Sequence, residues 1–149
     1  MILERTLATK AWEEEGNIYI SGELVDDRHH IRVILGFDSV GEKVKEVREV
    51  SWIRAPYPYC SDVAPLADRI LGLGVKTGAT AIINDTLGAS EGCIHLAEVV
   101  VQVFKCFYQA RHRLEDAALK SEEERKARKY RVLRNSCYAY TDRFFLANT

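Results

Sequence analysis

The sequence predicts an α+β fold in which an N-terminal antiparallel β-meander of about four strands precedes three to four helices. In the first third of the chain, β-favouring and alternating apolar stretches are separated by short turn sequences. Helical spacing of apolar residues begins near residue 60. A length of 149 residues fits one domain with one core. We therefore expect a single domain over residues 1–149, mainly β in 1–59 and mainly α in 60–149.

Four stretches predict the strands: residues 3–12, 18–25, 29–37 and 44–53. The third has the clearest alternation, which places His29 on the apolar face and His30 beside Arg32 on the other. The short connections between the stretches favour antiparallel pairing of neighbours.

A proline-framed segment, Pro56-Tyr57-Pro58-Tyr59-Cys60, ends the predicted sheet, because prolines at alternate positions cannot continue a ladder of hydrogen bonds. It presents Cys60 at the boundary between sheet and helices. We expect Tyr57 and Tyr59 to be packing residues. Arg54, just before this segment, is a candidate for binding an anionic group of a substrate.

Helical periodicity and capping residues predict the second half of the chain. Ser61, Thr77, Ser90 and Ser121 are the predicted N-caps. The corresponding helices cover residues 61–72, 79–87, 93–118 and the highly charged segment 122–134. The apolar helix 93–118 is a candidate surface for homo-oligomer formation. The charged stretch within residues 118–134 is expected to be a solvated helical face.

Composition argues against several classes of partner. The 21 basic and 22 acidic residues nearly cancel, so the charge indicates neither a nucleic acid nor an anionic membrane. The longest nearly uncharged apolar run, residues 94–104, is about half of the ~20 residues that a membrane span requires. The first residues lack the basic and hydrophobic regions of a signal peptide. We therefore expect a cytoplasmic protein that binds neither nucleic acid nor membrane.

The glycine-punctuated turn at residues 87–96 carries the strongest chemical features of the sequence. It places the Cys93 thiol and the His95 imidazole where a helix begins, and free backbone N–H groups there favour an anion such as a thiolate. The two side chains can share a ligand only if Cys93 lies at the helix cap, outside helical geometry, with Gly92 allowing the bend.

Two cysteines far away in sequence, Cys60 and Cys137, could converge on this point. A set of thiolates and imidazoles fits the ligand preference of zinc, with iron possible. No CxxC pair is present, so folding would have to assemble the site from distant segments. The alternative is that these thiols are small buried residues and that His95 bonds to a backbone carbonyl. Cys106 lies on another side of the predicted helix and is expected in the core.

The order of several motifs within residues 29–137 resembles a bacterial family known as domain of unknown function 2889. These motifs are a histidine opening an apolar strand that ends in aspartate, Pro-Tyr-Pro-x-Cys, Gly-Leu, Leu-Gly, Gly-Cys-x-His-Leu with a glutamate two residues on, and a late Cys-x-Ala. Here they are residues 29–38, 56–60, 72–73, 87–88, 92–98 and 137–139. The N-terminal strand is less rich in arginine and histidine than is usual in the family, and residues 118–134 have no counterpart.

The resemblance implies positions for a site but no activity. It singles out the positions of the candidate metal ligands, which are His29, Cys60, Cys93, His95 and Cys137, and it leaves out Cys106, His30 and His112. The leading hypothesis is thus a Cys/His site for zinc or iron at a helix N-terminus.

The sequence is also compatible with three other functions. One is an iron–sulfur carrier or assembly protein, loosely similar to NifU-type scaffolds. Another is a metal-free thiol enzyme with Cys93 as nucleophile, His95 or His29 as base, and Glu98 as a general base or as the group that orients a histidine. A third is a module without catalysis that self-associates through helix 93–118. The sequence defines no small-molecule substrate and leaves open whether the chain is an enzyme.

Overall fold

A computed structural model describes residues 1–143 and confirms the α+β class. The four strands form one antiparallel meander in the order β1-β2-β3-β4. They are β1 (Thr6–Glu14), β2 (Asn17–Val25), β3 (His30–Asp38) and β4 (Lys43–Arg54). A 3-10 helix (Pro58–Ile70), α1 (Ala79–Leu87), α2 (Ile94–Ala118), α3 (Glu122–Leu133) and a short 3-10 helix (Tyr138–Tyr140) follow.

The chain divides into two compact units, Met1–Arg111 and a second that begins at His112. The sheet, the long 3-10 helix, α1 and most of α2 belong to the first unit. The organisation as a single domain stays a prediction.

Strand pairing brings several chain segments to one end of the sheet. Val25 pairs with both Thr6 and His30, and His30 also pairs with Arg54. The start of β1, the turn between β2 and β3, and the end of β4 therefore lie side by side. Short connections join the strands, and at the other end Glu15 and Gly16 both have positive φ (51° and 76°), as type I′ hairpin turns require.

The core of the first unit lies between the sheet and α2. The alternation predicted for β3 is confirmed, since Ile31, Val33, Leu35 and Phe37 are fully buried. At Gly22 in β2, an added Cβ would lie 2.7 Å from a methyl carbon of Val103 and 2.9 Å from one of Val99. Glycine at this position lets α2 lie close to the strand, which brings the first turn of α2 near the end of the sheet described above.

The first helical segment differs from its prediction. The segment is a 3-10 helix that starts at Pro58, not an α-helix capped by Ser61, and it contains Pro65. Pro65 has no N–H to donate to the carbonyl four residues earlier, which disfavours an α-helix here. Cys60 consequently lies within the first turn of the 3-10 helix and not at its boundary. The chain after it pairs with β4 through Val44 N–H to Leu73 O (3.0 Å) and Gly72 N–H to Val44 O (2.8 Å).

The remaining helices agree closely with the predicted ranges. The N-cap of α1 is Gly78 at φ 90°, not Thr77, and Gly88 ends the helix as predicted. A left-handed backbone at the cap favours glycine over threonine. None of the helices among residues 1–143 is long and apolar enough to cross a membrane.

The second unit contains α3, whose predicted capping box is confirmed. The N–H of Glu124 donates to Ser121 Oγ, and the N–H of Ser121 donates to the Glu124 carboxylate, both at 3.1 Å. The charged stretch is not entirely solvated, because the side chain of Arg128 is only 8% exposed. Its guanidinium lies 2.6 Å from Asp116 and also pairs with Glu115.

Candidate functional site

The turn between β2 and β3 is organised by the carboxylate of Asp26. Oδ1 accepts hydrogen bonds from the backbone N–H groups of Arg28 (2.9 Å) and His29 (2.7 Å). The backbone N–H of Asp26 donates to the carbonyl of His29 at 2.9 Å. Aspartate favours such turns because its short side chain reaches the N–H groups that follow. The side chain of Asp26 is 1% exposed, so the turn holds a buried carboxylate beside His29.

His29 is oriented by the same carboxylate. Its Nδ1 lies 2.9 Å from Oδ1 of Asp26. An ionised carboxylate only accepts hydrogen bonds, so Nδ1 carries the proton, and Nε2 of the neutral ring holds a lone pair. Within residues 1–143, Nε2 of His29 has no hydrogen-bond partner. The side chain is 13% exposed, so the ring is partly accessible.

Arg5 connects this turn to α2. Its Nε and Nη2 donate to Oδ2 of Asp26 at 3.0 and 2.8 Å. Its Nη1 donates to Glu98 at 3.3 Å, and Nη2 lies 3.3 Å from Nε2 of His95. One guanidinium therefore fixes the positions of the carboxylate and of the second imidazole. Glu98 was expected to act as a base or to orient a histidine directly, but the contact shown by its carboxylate is with Arg5.

The environment sets the charges of two of these groups. Burial alone would raise the pKa of Asp26, but hydrogen bonds from the N–H groups of Arg28 and His29 and from the Arg5 and His29 side chains lower it well below its usual 3.8. Burial lowers the pKa of His95 below its usual 6.5, and the charge of His29, when that ring is protonated, and the charge of Arg5 lower it further. Near neutral pH, Asp26 is therefore ionised and His95 is neutral.

The two imidazoles are in contact. The ring centroids of His29 and His95 lie 4.1 Å apart, and the ring planes are tilted by 38°. His29 comes from the turn between strands, whereas His95 lies in the first turn of α2. The structure thus brings together two of the five predicted ligands from positions 66 residues apart in the sequence.

A tight turn that ends at Cys93 precedes α2. Cys93 precedes the helix, its N–H donates to the carbonyl of Leu87 (2.7 Å), and its own carbonyl accepts from Ala97 N–H (3.0 Å). An added Cβ at Gly92 would lie 2.1 Å from the Leu87 carbonyl oxygen. Cys93 therefore lies directly before α2, which meets the condition for it to share a ligand with His95, whereas Ser90, the predicted N-cap, lies in the preceding turn. The side chain of Cys93 is partly buried and packs against the apolar core.

Arg54 adds a positive charge at the same end of the sheet. Its Nη2 donates to the backbone carbonyl of Asp26, which holds the guanidinium beside the turn that carries His29. Arg54 is exposed, and no carboxylate of residues 1–143 lies within ion-pair distance of it.

The other predicted ligands do not join the two imidazoles in a recognisable metal-binding group. Cys60 is partly exposed in the long 3-10 helix, and Cys137 is exposed in the second unit. Among residues 1–143, no group of three or more His, Cys, Asp or Glu side chains is arranged to hold a metal ion. The five-residue zinc or iron site therefore stays a prediction without a supporting group of ligands in the described part of the chain.

Two residues of this cluster, Asp26 and Arg5, were not predicted as functional. Two residues outside it, Tyr57 and Tyr59, differ from their prediction. Asp26 was assigned only to a turn, although an aspartate three residues before a histidine at a strand start is a pattern that favours this hydrogen bonding. Nothing in the sequence marked Arg5, because its contacts depend on residues 21 and 93 positions away. Tyr57 and Tyr59 were expected to pack, but they are 53% and 62% exposed.

Comparison with known proteins supports the family resemblance. The family described as "Protein of unknown function (DUF2889)" matches residues 3–109. This range includes Arg5, Asp26, His29, Arg54 and His95, and it ends before Cys137. No curated protein and no solved structure matches the chain significantly. Because the match covers well over half of the sequence, the chain belongs to this family of unknown function, DUF2889.

Proposed function

We propose that Asp26, His29 and His95 form a proton-transfer site in which Nε2 of His29 is the general base toward a small-molecule substrate. The observation that carries the proposal is the 2.9 Å contact between Nδ1 of His29 and the buried Asp26 carboxylate. That contact fixes the tautomer of the neutral ring, in which Nε2 carries no proton. A base needs a lone pair that a substrate can reach, and in this tautomer the lone pair of the partly exposed His29 ring is on Nε2.

The neighbouring groups support this role in different ways. When His29 takes a proton, the imidazolium is stabilised by the negative charge of Asp26. His95 is neutral near pH 7 because its pKa is lowered, so it adds no full positive charge beside the protonated ring. Arg5 holds Asp26 and His95 in place through its Nε and Nη2. Cys93 is a weaker candidate for the reacting group, because its side chain packs against the core.

Hydrolysis of p-nitrophenyl acetate tests the proposal, because an accessible imidazole base accelerates attack of water on an activated ester. We expect His29→Gln to remove most of the rate above that of buffer, a loss of roughly 10-fold or more. His30→Gln is the matched control, since His30 lies on the next position and bonds to Glu23 (3.1 Å). Equal rates for the native chain and His29→Gln would contradict the proposal.

A spectroscopic measurement tests the geometry without a substrate. Nitrogen chemical shifts of the His29 ring should show the proton on Nδ1 near neutral pH. In Asp26→Asn, the amide can also donate a hydrogen bond, so this preference should weaken. A ring with its proton mainly on Nε2 in the native chain would exclude His29 as the base described here.

A second candidate function is a zinc or iron site that begins with the same two imidazoles. It is favoured by the pairing of His29 with Asp26, because metal-binding histidines usually donate their other N–H to a carboxylate. Of the ligands that the sequence predicted, Cys60 and Cys93 belong to the same unit as the two imidazoles and would supply the further contacts. Near-stoichiometric zinc or iron in protein purified without an affinity tag, lost in His29→Gln, would support this function; metal content unaffected by His29→Gln would contradict it.

Two alternative functions predicted from the sequence would give distinct experimental results with the same protein samples. Brown colour with charge-transfer absorbance under anaerobic handling would support the iron–sulfur carrier. Rapid and selective reaction of Cys93 with iodoacetamide near neutral pH would support the metal-free thiol enzyme. Self-association through helix 93–118 is disfavoured by the burial of its apolar residues in the core of the first unit.

A further inference from the structure

Two exposed tyrosines stand in a rigid segment directly after β4. The rings of Tyr57 and Tyr59 are stacked, with centroids 5.4 Å apart and planes 4° from parallel. They are 53% and 62% exposed, although aromatic rings gain most from burial. Pro56 and Pro58 restrict the backbone around Tyr57, so the segment presents its aromatic surface with little conformational freedom. A flat, exposed aromatic surface of this kind suits stacking against another planar ring.

Arg54 supplies an unpaired charge beside this surface. Within residues 1–143 its guanidinium has no carboxylate partner, and its hydrogen bond to the Asp26 carbonyl holds it beside the turn that carries His29. A guanidinium forms strong charge-assisted hydrogen bonds with a planar carboxylate, often through two nitrogens at once. The remaining N–H groups of Arg54 are available for such a ligand.

The distances along the chain suit one small molecule. Tyr57 follows Arg54 by three residues, so their Cα atoms lie at most about 11 Å apart. Long side chains on both residues can therefore contact opposite ends of one aromatic acid. Strand pairing places His30 directly opposite Arg54, so His29 is at the same end of the sheet as both groups.

We infer that the chain binds a planar aromatic carboxylate whose ring stacks on the Tyr57–Tyr59 pair and whose carboxylate pairs with Arg54. As a substrate class, this inference rests on the proton-transfer function of His29. The binding surface itself rests on the two tyrosines and the arginine. The carboxylate anchors the ligand at the end of the sheet where His29 also lies.

Titration of the full-length chain with 2-naphthoate, followed by calorimetry or NMR, tests the inference. Cyclohexanecarboxylate keeps the charge but lacks the planar ring, and 2-naphthamide keeps the ring but lacks the charge. We expect 2-naphthoate to bind roughly 10-fold more tightly than either analogue, the size expected for losing one stacking contact or one charge-assisted pair. Equal affinity for 2-naphthoate and either analogue would overturn the inference.

Substitutions locate the binding surface. Arg54→Gln and Tyr57→Leu should each weaken 2-naphthoate binding by roughly 10-fold. The matched controls are Arg69→Gln and Tyr138→Leu, which change an exposed arginine and an exposed tyrosine elsewhere and should leave the affinity unchanged. Thermal unfolding of each variant shows whether it is folded. Equal losses in test and control variants would also overturn the inference.

His29→Gln separates this inference from the proposed function. The variant should keep its affinity for 2-naphthoate while losing hydrolysis of p-nitrophenyl acetate. If 2-naphthoate fails to bind the native chain but hydrolysis depends on His29, the ligand inference is wrong and the proton-transfer function stands. If 2-naphthoate binds through Arg54 and Tyr57 but hydrolysis does not depend on His29, the proton-transfer function is wrong and the binding surface stands.

Discussion

Replacing Asp26 with asparagine should destabilise the first unit and free the ring of His29. The native carboxylate accepts hydrogen bonds from two backbone N–H groups, from His29 Nδ1 and from two nitrogens of Arg5. Asparagine keeps an oxygen that can accept from the turn, but it loses the negative charge. Its amide N–H₂ group would also face the N–H groups of Arg5, so donors would oppose donors.

The expected loss of unfolding free energy follows from the burial of the ion pair between Asp26 and Arg5. The Asp26 side chain is 1% exposed and that of Arg5 is 26% exposed. Removing one partner from a buried ion pair costs about 3–5 kcal/mol, and partial solvation of Arg5 places this variant at the lower end, about 3 kcal/mol. Asp38→Asn is the matched control, because Asp38 also accepts a turn N–H (Val40, 3.0 Å) but is more exposed; its cost should stay below about 1 kcal/mol.

Urea unfolding at several pH values measures the loss of unfolding free energy in each variant and its dependence on pH. The folded-state pKa of Asp26 lies below its usual 3.8, so its stabilising contribution is present above that pH and declines as the pH falls below it. The native chain should therefore lose stability on acidification, and Asp26→Asn should lose less. Equal unfolding free energies for Asp26→Asn and Asp38→Asn near neutral pH would refute the assignment of Asp26 as the organising group of the turn.

Three further perturbations have clear expected outcomes. The lowered pKa of His95 means that the folded state disfavours its protonation, so the unfolding free energy should decline as the pH falls below 6.5; His95→Gln should reduce this decline. Gly92→Ala should lower the unfolding free energy by about 2 kcal/mol or more, since the new Cβ would lie 2.1 Å from the Leu87 carbonyl oxygen. Arg128→Met should destabilise the second unit by about 2 kcal/mol and speed amide hydrogen exchange in α3, because it leaves Asp116 without its partner.

The substitutions of Gly92 and Arg128 each have a control substitution within the same chain. Gly74→Ala adds a Cβ whose nearest neighbouring atom is 3.7 Å away, so it should leave stability nearly unchanged. Lys126→Met removes an exposed pair with Glu122 at 3.8 Å and should change stability by less than about 0.5 kcal/mol. A pH dependence identical in the native chain and His95→Gln would contradict the lowered pKa of His95. Similar effects in test and control variants would contradict the other two arguments.

Local chemistry explains the predictions that succeeded. The β3 alternation predicted which face is buried because side chains of a strand point to opposite faces in turn. Residues two apart cannot share one helix face, so Cys93 and His95 could share a ligand only with Cys93 outside the helix, and the structure places Cys93 directly before α2. Gly92 lies where a Cβ would meet the Leu87 carbonyl. In contrast, Thr77 was chosen as the α1 cap by residue preference, whereas the backbone turns at Gly78 with φ 90°. The residue preferences of N-cap positions alone do not predict where the backbone will need a left-handed conformation.

By itself, the sequence determined the order of the elements, the buried face of the sheet, the start of α2 and membership in a family without known function. Only the tertiary structure decided which polar groups meet: Arg5 with Asp26, His29 with His95, and Arg54 with the turn. Periodicity and capping act within a few residues, so they can be read from neighbouring positions in the sequence. Contacts between groups as far apart as Arg5 and Glu98 depend on strand register and on how closely α2 approaches the sheet. Those distances are set by the packing of the whole unit.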